Sequence, residues 1–421
     1  AEVIDPEEAK RMEPSVNPSL IGAVKVPDGS VDPFRLCASN VFDAKIHGAK
    51  VLVYSEVIEF IKEQDTIKGV KVLDHHTGIV TDYYAPVTVN AGGIWGHHIA
   101  QMAGANISMF PAKGALLIFA HRVNSVVINR CRKPANADIL VPGDTVCVIG
   151  TTSTRVPYEE CDHLKVTPDE VDLLLTEGAK LAPCLAETRV LRAYAGVRPL
   201  VSADNDPSGR NISRGIVCLD HETRDGIKGF ISITGGKLMT YRLMGEMAAD
   251  AVCKKLGRDA KCVTADTPLP GSEPGGIEEI SKKIWEVPTM VQKASVGRFG
   301  TQAANLDFDG DVKGSLVCEC EEVSVSEVDS AIENLEVNNL VDLRRRTRFG
   351  MGTCQGELCA CRAAGRLAKA RKCTAKARAD LKDFMDERWK GMYPVAWGET
   401  LRESAYTQWV YSEVMGLGEE I

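Results

Sequence analysis

The sequence predicts an α/β protein of the α+β kind: a mixed sheet with covering helices, then a small helical module rich in cysteine. Three observations predict it. Extended apolar runs alternate with helical patterns through the first 257 residues. Gly229-Phe-Ile-Ser-Ile-Thr234 reads as a strand that passes through Gly235-Gly236-Lys237 into a helix over 238–256, which Gly257 stops. Five of the 14 cysteines fall within residues 318–361 of a 421-residue chain, which is too long for a disulfide scaffold and points to a bound inorganic group.

The elements follow in order. Residues 1–16 open a helix, with Asp5 as cap, Pro6 at its first position and Glu8 three residues on. Gly48–Tyr54, Gly69–Leu73 and Ala85–Asn90 read as short strands. The last runs into Ala91-Gly92-Gly93-Ile94-Trp95 and a helix through Met102, a possible phosphate or cofactor turn. Gly114–Phe119, Asp144–Ile149 and Arg189–Ala195 are further strands. Thr167-Pro168-Asp169-Glu170 opens a helix with a capping box, and Val171, Leu174, Leu175 and Ala179 form its apolar stripe. Residues 258–312 read as a connector with one helix near 277–286, 313–373 as the cysteine module, and 374–421 as a tail holding Trp389, Trp397 and Trp409. A C-terminal helix is expected to line Tyr406, Trp409, Val410 and Met415 on one packing face.

Composition narrows the function classes. Hydrophobic residues at 44% and charged residues at 26% exclude wholesale disorder. Fifty Lys+Arg against 58 Asp+Glu, a net charge of -8, argue against a broad basic face for nucleic acid. No apolar run is long enough for a transmembrane helix, and the first residues lack a basic-then-apolar signal pattern.

In the module, Cys318-Glu-Cys320 and Cys354-Gln-Gly-Glu-Leu-Cys359 present four soft ligands for an iron–sulfur cluster or zinc, and Cys361 competes with Cys359 for the fourth place. Ser324 and Glu327 predict a capping box; Val328, Ala331, Ile332 and Leu335 follow at helical spacing, then Leu340, Val341 and Leu343. Gly350-Met-Gly352 supplies a turn before Cys354. The remaining cysteines read as reduced thiols. Arg344-Arg345-Arg346-Thr347-Arg348 reads as a solvated face, or as a docking surface for an acidic electron-transfer partner; His75-His76 and His97-His98 read as non-ligands.

This cysteine pattern with Gly-Met-Gly-Thr-Cys-Gln-Gly-Glu-Leu-Cys resembles the bacterioferritin-associated-ferredoxin-like (BFD-like) [2Fe–2S] domain. Upstream, Phe110-Pro-Ala-Lys113-Gly114, Val148-Ile-Gly-Thr-Thr152, Gly196-Val-Arg198-Pro-Leu200, Asn211-Ile-Ser-Arg214 and Thr234-Gly-Gly-Lys237-Leu-Met-Thr240-Tyr-Arg242 occur in that order. Together they resemble the FAD-dependent glycerol-3-phosphate dehydrogenase family, in its anaerobic branch. The likeness covers essentially the whole chain, least specifically at 258–312.

The resemblance implies a DAO-like FAD oxidoreductase region over 1–257 with a mixed-sheet substrate subdomain at about 105–200, the 313–373 BFD-like domain, and a helical tail. It implies oxidation of sn-glycerol 3-phosphate to dihydroxyacetone phosphate, with electrons leaving FAD through a [2Fe–2S] cluster to partner subunits and a quinone at the inner face of the membrane. It places Arg214 and Lys237 on the substrate phosphate and Arg198 at the reacting end, with His121 as base because Leu116 stands where relatives often carry histidine. Val57, Ala91, Gly92, Gly93, Trp95, Gly235, Gly236, Lys237, Leu238, Met239 and Thr240 would touch the flavin dinucleotide, and the helix from 238 would stabilise negative charge on the reduced ring. Cys318, Cys320, Cys354 and Cys359 would ligate the cluster. A dianionic substrate suits several fixed cations in a small space.

One departure matters. No Gly-x-Gly-x-x-Gly occurs in the 421 residues, so the FAD-binding Rossmann-like domain is expected to be incomplete, the chain a C-terminal portion of a longer protein, and its own flavin binding weak. Desalting residues 1–421 and reading flavin absorbance checks this; stoichiometric flavin would contradict it. The competing readings are a dehydrogenase for a 2-hydroxy acid or an amino acid, a non-enzymatic iron–sulfur carrier, and a zinc-held interaction module.

Overall fold

The computed structural model describes residues 1–201, 215–273, 289–309 and 312–418. Its centre is the long strand Met109–Phe119. Val190–Val201 pairs antiparallel along the whole length of one edge. Cys147–Gly150 and Thr154–Arg155 pair along the other, followed by Ile139–Pro142 and Ile128–Asn129. Because side chains alternate across a strand, Ala115, Leu117 and Phe119 share one face. Helix Pro168–Leu181 covers that face with Val171 and Leu174 of the expected stripe, Leu175 partly, and with Gly178 and Leu181 in place of Ala179. Its capping box is formed: the Thr167 hydroxyl takes the Glu170 N–H, and Glu170 reaches back to the Thr167 N–H.

A second sheet orders Ile216–Asp220, Phe230–Gly235 and Thr88–Asn90 side by side. The last two run parallel, Phe230 opposite Thr88 and Ser232 opposite Asn90. Both therefore end at the same edge, and each is followed by a Gly-Gly turn. The meander Ser55–Glu63, Thr66–Asp74, Val80–Tyr84 stands beside it, Phe60 packing edge-on against Phe230 at 5.2 Å.

Two local expectations shift. The strand expected over 48–54 begins at Ser55 instead; Tyr54 takes a φ of 53°, a left-handed conformation that ends extended geometry. Helix Pro33–Ile46 has no fully buried residue, hence no apolar stripe to read in the sequence. Asp32 starts it, accepting from the Phe34 and Arg35 N–H groups. The helix expected near 277–286 lies outside the described residues. The connector does hold a helix, Thr289–Phe299, whose Arg298 grips the cysteine module through Glu327 (2.7 Å) and the carbonyls of Glu321 (2.7 Å) and Glu322 (2.8 Å).

In the module, strands Leu316–Cys318 and Val323–Ser324 lead into helices Val325–Asn334, Leu340–Thr347 and Ala360–Arg371. The Ser324–Glu327 capping box forms as read. The tail shares the module's core: Leu381, Phe384 and Tyr411 pack with Val328, Leu343, Phe349 and Leu367. Phe349 and Phe384 stack at 5.4 Å. Of the expected packing face only Val410 packs against this core; Tyr406 is 60% and Trp409 55% exposed, while Ser404, Thr407 and Tyr411 face in. Helix Gly398–Trp409 runs into a π turn at Val410–Val414, which widens the coil and breaks the 3.6-residue register. Phe384→Ala is expected to destabilise the module by about 3–5 kcal/mol. A denaturant titration read by tryptophan fluorescence measures it.

Candidate functional site

The two glycine turns are built differently. Gly235 and Gly236 have φ of 75° and 69°, and a Cβ on Gly235 would lie 2.4 Å from the Gly215 carbonyl oxygen, so only glycine fits. The turn is closed by Thr240, whose hydroxyl takes the Lys237 N–H at 3.0 Å and donates to the Lys237 carbonyl at 2.8 Å. A short 3-10 turn, Leu238–Thr240, then opens helix Tyr241–Lys255. Leu238 and Met239 are exposed beside it, as is Lys237.

The other turn is held from beneath. Buried Asn90 accepts the Gly92 N–H at 3.1 Å and donates to the Gly96 carbonyl at 2.8 Å and the Ser232 hydroxyl at 3.1 Å. His221, fully buried and stacked on Phe230, meets the same hydroxyl at 2.8 Å and Asp225 at 2.5 Å. The chain Asp225–His221–Ser232–Asn90 thus fixes the backbone of the turn. Trp95 hydrogen-bonds Asp162 at 3.0 Å, and Ile94 packs against Val156, with Val197 beside it. Val57 pairs with Val72 in the meander. His97 and His98 flank Tyr158 with ring centroids 5.1 and 5.0 Å away, and burial pushes the Tyr158 hydroxyl up to about 12.

Next to Val197, Arg198 donates to the Thr151 hydroxyl at 2.5 Å and the Thr152 carbonyl at 3.4 Å. Its guanidinium crosses Gly114, where a Cβ would sit 2.5 Å from Nη2, so the glycine makes room for the arginine. Thr152 donates to Glu170 at 3.1 Å and accepts the Ala115 N–H at 2.9 Å. Lys113 is buried and held by Glu170 at 2.8 Å and the Lys165 carbonyl at 2.9 Å. The motif Val148–Thr152 carried the signal for this network, but Glu170 read only as a capping residue.

The expected pairing of His121 with Arg198 is not formed. Arg198 lies opposite Ala112, whereas His121 lies beyond Phe119, the other end of the same strand. At roughly 3.3 Å per residue Ala112 and Phe119 alone are about 23 Å apart. Antiparallel register separates what short sequence spacing to Lys113 suggested. Arg214, with Asn211, lies outside the described residues.

The four sulfurs of the module converge. Cys320 and Cys354 lie 3.7 Å apart. Cys359 neighbours both Cys318 and Cys354, and as the donor to them its own thiol is pushed up, as is that of Cys320 beside Cys354. Hydrogen bonds from Cys320 and then Cys359 push the Cys354 thiol far down, helped by the Leu358 and Gly356 N–H groups. A hydrogen bond from Cys359 lowers Cys318, aided by the Gly350 and Glu321 N–H groups. Backbone donors aimed at sulfur suit anionic thiolates, the state a metal centre requires. Cys361 points away, to the Met415 sulfur at 3.5 Å. The donor set fits a four-thiolate centre through Cys359.

The arginine run is mostly internal, which corrects the reading as a solvated or docking face. Arg344 is buried against Gln355, Arg346 donates to the Leu335 carbonyl at 3.1 Å, and Arg348 pairs with Glu321 at 2.8 Å and Asp32 at 3.0 Å. Arg345 alone of these is exposed. The run closes one turn before the ligand loop, so packing claims it.

Comparison with known proteins bears on both halves. The FAD dependent oxidoreductase family matches residues 1–242, and the BFD-like [2Fe-2S] binding domain matches 316–367. Over its whole length the chain is similar to the A subunits of two anaerobic glycerol-3-phosphate dehydrogenases. It is 59% identical over 421 residues to that of Escherichia coli K12, covering 100% of this chain and 78% of that protein. It is 58% identical over 420 residues to that of Haemophilus influenzae, covering 100% and 74%. A glycerol-3-phosphate dehydrogenase from Bacillus halodurans complexed with FAD shares the fold with a TM-score of 0.73 at 21% identity, covering 94% of this chain and 81% of that one.

Proposed function

The chain belongs to the FAD-dependent oxidoreductases, among the A subunits of anaerobic glycerol-3-phosphate dehydrogenases, and from that premise we propose how its residues serve the reaction. The enzyme oxidises sn-glycerol 3-phosphate to dihydroxyacetone phosphate, with FAD and a [2Fe–2S] centre as its cofactors. When bound, FAD supplies hydride acceptance and the [2Fe–2S] centre supplies one-electron transfer.

One observation carries the assignment of residues. The strand Val190–Val201 holds Arg198 near one end, with Val197 beside Ile94 of the Asn90-braced turn, and Arg192 near the other, bonded to Glu387 at 3.1 Å on a helix of the module's core. The two arginines are six residues, about 20 Å, apart on one rigid element. Gly92–Gly93 and Gly235–Gly236 leave adjacent parallel strands at one edge, where open sheets of this kind take cofactors. The backbone of these turns, with Ala91, Trp95, Leu238, Met239 and Thr240, faces the flavin dinucleotide. Arg198 orients the substrate's reacting end, its fork held by Thr151 and Thr152. Lys237, exposed beside the turn, and Arg214 meet the phosphate. Cys318, Cys320, Cys354 and Cys359 hold the cluster. The protein assembles with electron-transfer and membrane-anchoring subunits that lead to a quinone, peripheral to the inner face of the membrane. Among the described residues no helix is long and apolar enough to cross a membrane.

Steady-state assay of glycerol 3-phosphate against lactate and proline, with an artificial acceptor, tests the substrate. Turnover of lactate or proline in preference would overturn it. Asn90→Ala takes the side-chain acceptor from the Gly92 N–H and the side-chain donor from the Gly96 carbonyl, leaving the Ser232 hydroxyl to His221 alone, a loss of about 2 kcal/mol. It is expected to weaken flavin binding roughly thirtyfold, read by fluorescence titration of the enzyme stripped of flavin.

A further inference from the structure

Arg344 is a costly residue to bury. It is 9% exposed on helix Leu340–Thr347. Its Nη2 donates to Gln355 at 3.2 Å, its Nε meets no acceptor, and among the described residues it has no ion pair. Gln355 follows Cys354 directly in the ligand loop and is tied there by donating to the Met351 and Gly352 carbonyls, each at 2.9 Å.

Arg192 and Arg388 are buried around the same place, 6% and 4% exposed, each with nitrogens that meet no acceptor. Glu387 and Glu357 answer these three cations, while Glu403, which also bears on Arg388, is taken by Arg189. Glu387 is engaged by Arg192 at 3.1 Å, and Glu357 stands 4.0 Å from Arg388. Positive charge is in surplus inside the protein, where an uncompensated guanidinium stays protonated and is strongly disfavoured. On the other side of Gln355 lies the loop of Cys354 and with it the cysteine quartet. A [2Fe–2S] centre on four thiolates is a dianion when oxidised and gains a further negative charge on taking one electron.

We propose that Arg344, backed by Arg192, is the fixed counter-charge of the iron–sulfur centre and raises its reduction potential. The inference rests on the ligand set proposed above. A buried cation attracts the reduced centre more strongly than the oxidised one, and low local polarity magnifies the difference. The arginine run then has a division of labour: Arg348 and Arg346 hold the fold, and Arg344 holds the charge.

The test is a mediated dithionite titration of the loaded enzyme, followed by the electron paramagnetic resonance signal of the reduced cluster, with iron and sulfide measured alongside. In Arg344→Gln, the ratio of reduced to oxidised cluster at the wild-type midpoint is expected to fall about tenfold, which is 59 mV for one electron. Arg344→Lys should restore most of the ratio. Arg192→Gln should lower it about threefold, and the exposed Arg345→Gln should leave it unchanged. A loaded Arg344→Gln cluster with the wild-type midpoint overturns the proposal. So does failure of both Arg344 variants to load iron while Arg192→Gln keeps the wild-type midpoint, since Arg344 would then act on assembly alone. Zinc in place of iron and sulfide in the wild-type protein would instead overturn the ligand reading itself.

Discussion

Cys354→Ser is expected to leave the protein with almost no iron or acid-labile sulfide, while its flavin content stays that of the wild type. Cys354 is the hub of the sulfur group: it takes hydrogen bonds from both Cys320 and Cys359, and its thiol is pushed down while those two donors are pushed up. Serine offers a hard oxygen with a far higher pKa, a poor replacement for a soft thiolate. The mutation also separates the two halves of the enzyme. Substrate-dependent bleaching of the flavin should persist, because Arg198 and the glycine turns are untouched. Electron delivery to the natural acceptor should fall by at least about a hundredfold, as for loss of a metal centre's ligand sphere. Cys361→Ser should change neither iron content nor turnover, since that sulfur faces Met415 rather than the quartet.

Arg198→Gln is expected to lower kcat/KM for glycerol 3-phosphate about a thousandfold, or about 4 kcal/mol. Losing one member of a partly buried charge-assisted contact costs toward the upper part of about 2–5 kcal/mol here, because the guanidinium is also the part that Gly114 makes room for. Lysine at 198 should recover little, because it keeps the charge but not the planar guanidinium whose Nη2 is held by Thr151 and Thr152. A Gly114→Ala change should mimic the loss in part, by pushing the arginine aside. Stopped-flow reduction of the flavin reads both, free of any effect on the cluster.

Legibility in the sequence followed the range of the interactions. Capping boxes at Thr167–Glu170 and Ser324–Glu327 form as read, because each is satisfied within three residues of chain. The cysteine quartet was legible for a related reason: its two short-spaced pairs have little purpose apart from one another. The Gly235–Gly236 turn announced itself through residues no other side chain can replace. Long-range pairing was not legible. His121 looked close to Lys113 in sequence, yet an extended strand carries it away from Arg198. Asn90 read as the end of a strand, and its bracing of Gly92 depends on Ser232 from a distant segment. Helix Pro33–Ile46 has no apolar stripe to betray it, and it is fixed to the module through polar groups: Asp32 to Arg348, Lys45 to Glu336 at 2.7 Å. The basic run read as surface because its charge suggested water, whereas Arg344 is buried beside the ligand loop.

The most direct test of the central claim, that one chain joins substrate oxidation to a thiolate-held iron–sulfur centre, is a single anaerobic addition. The flavin- and cluster-loaded enzyme is mixed with glycerol 3-phosphate and frozen for electron paramagnetic resonance. The signal of a reduced [2Fe–2S] cluster is expected, absent with lactate, with proline, in Cys354→Ser and in Arg198→Gln. A flavin reduced by glycerol 3-phosphate beside a cluster that stays silent, though chemically reducible, would contradict it.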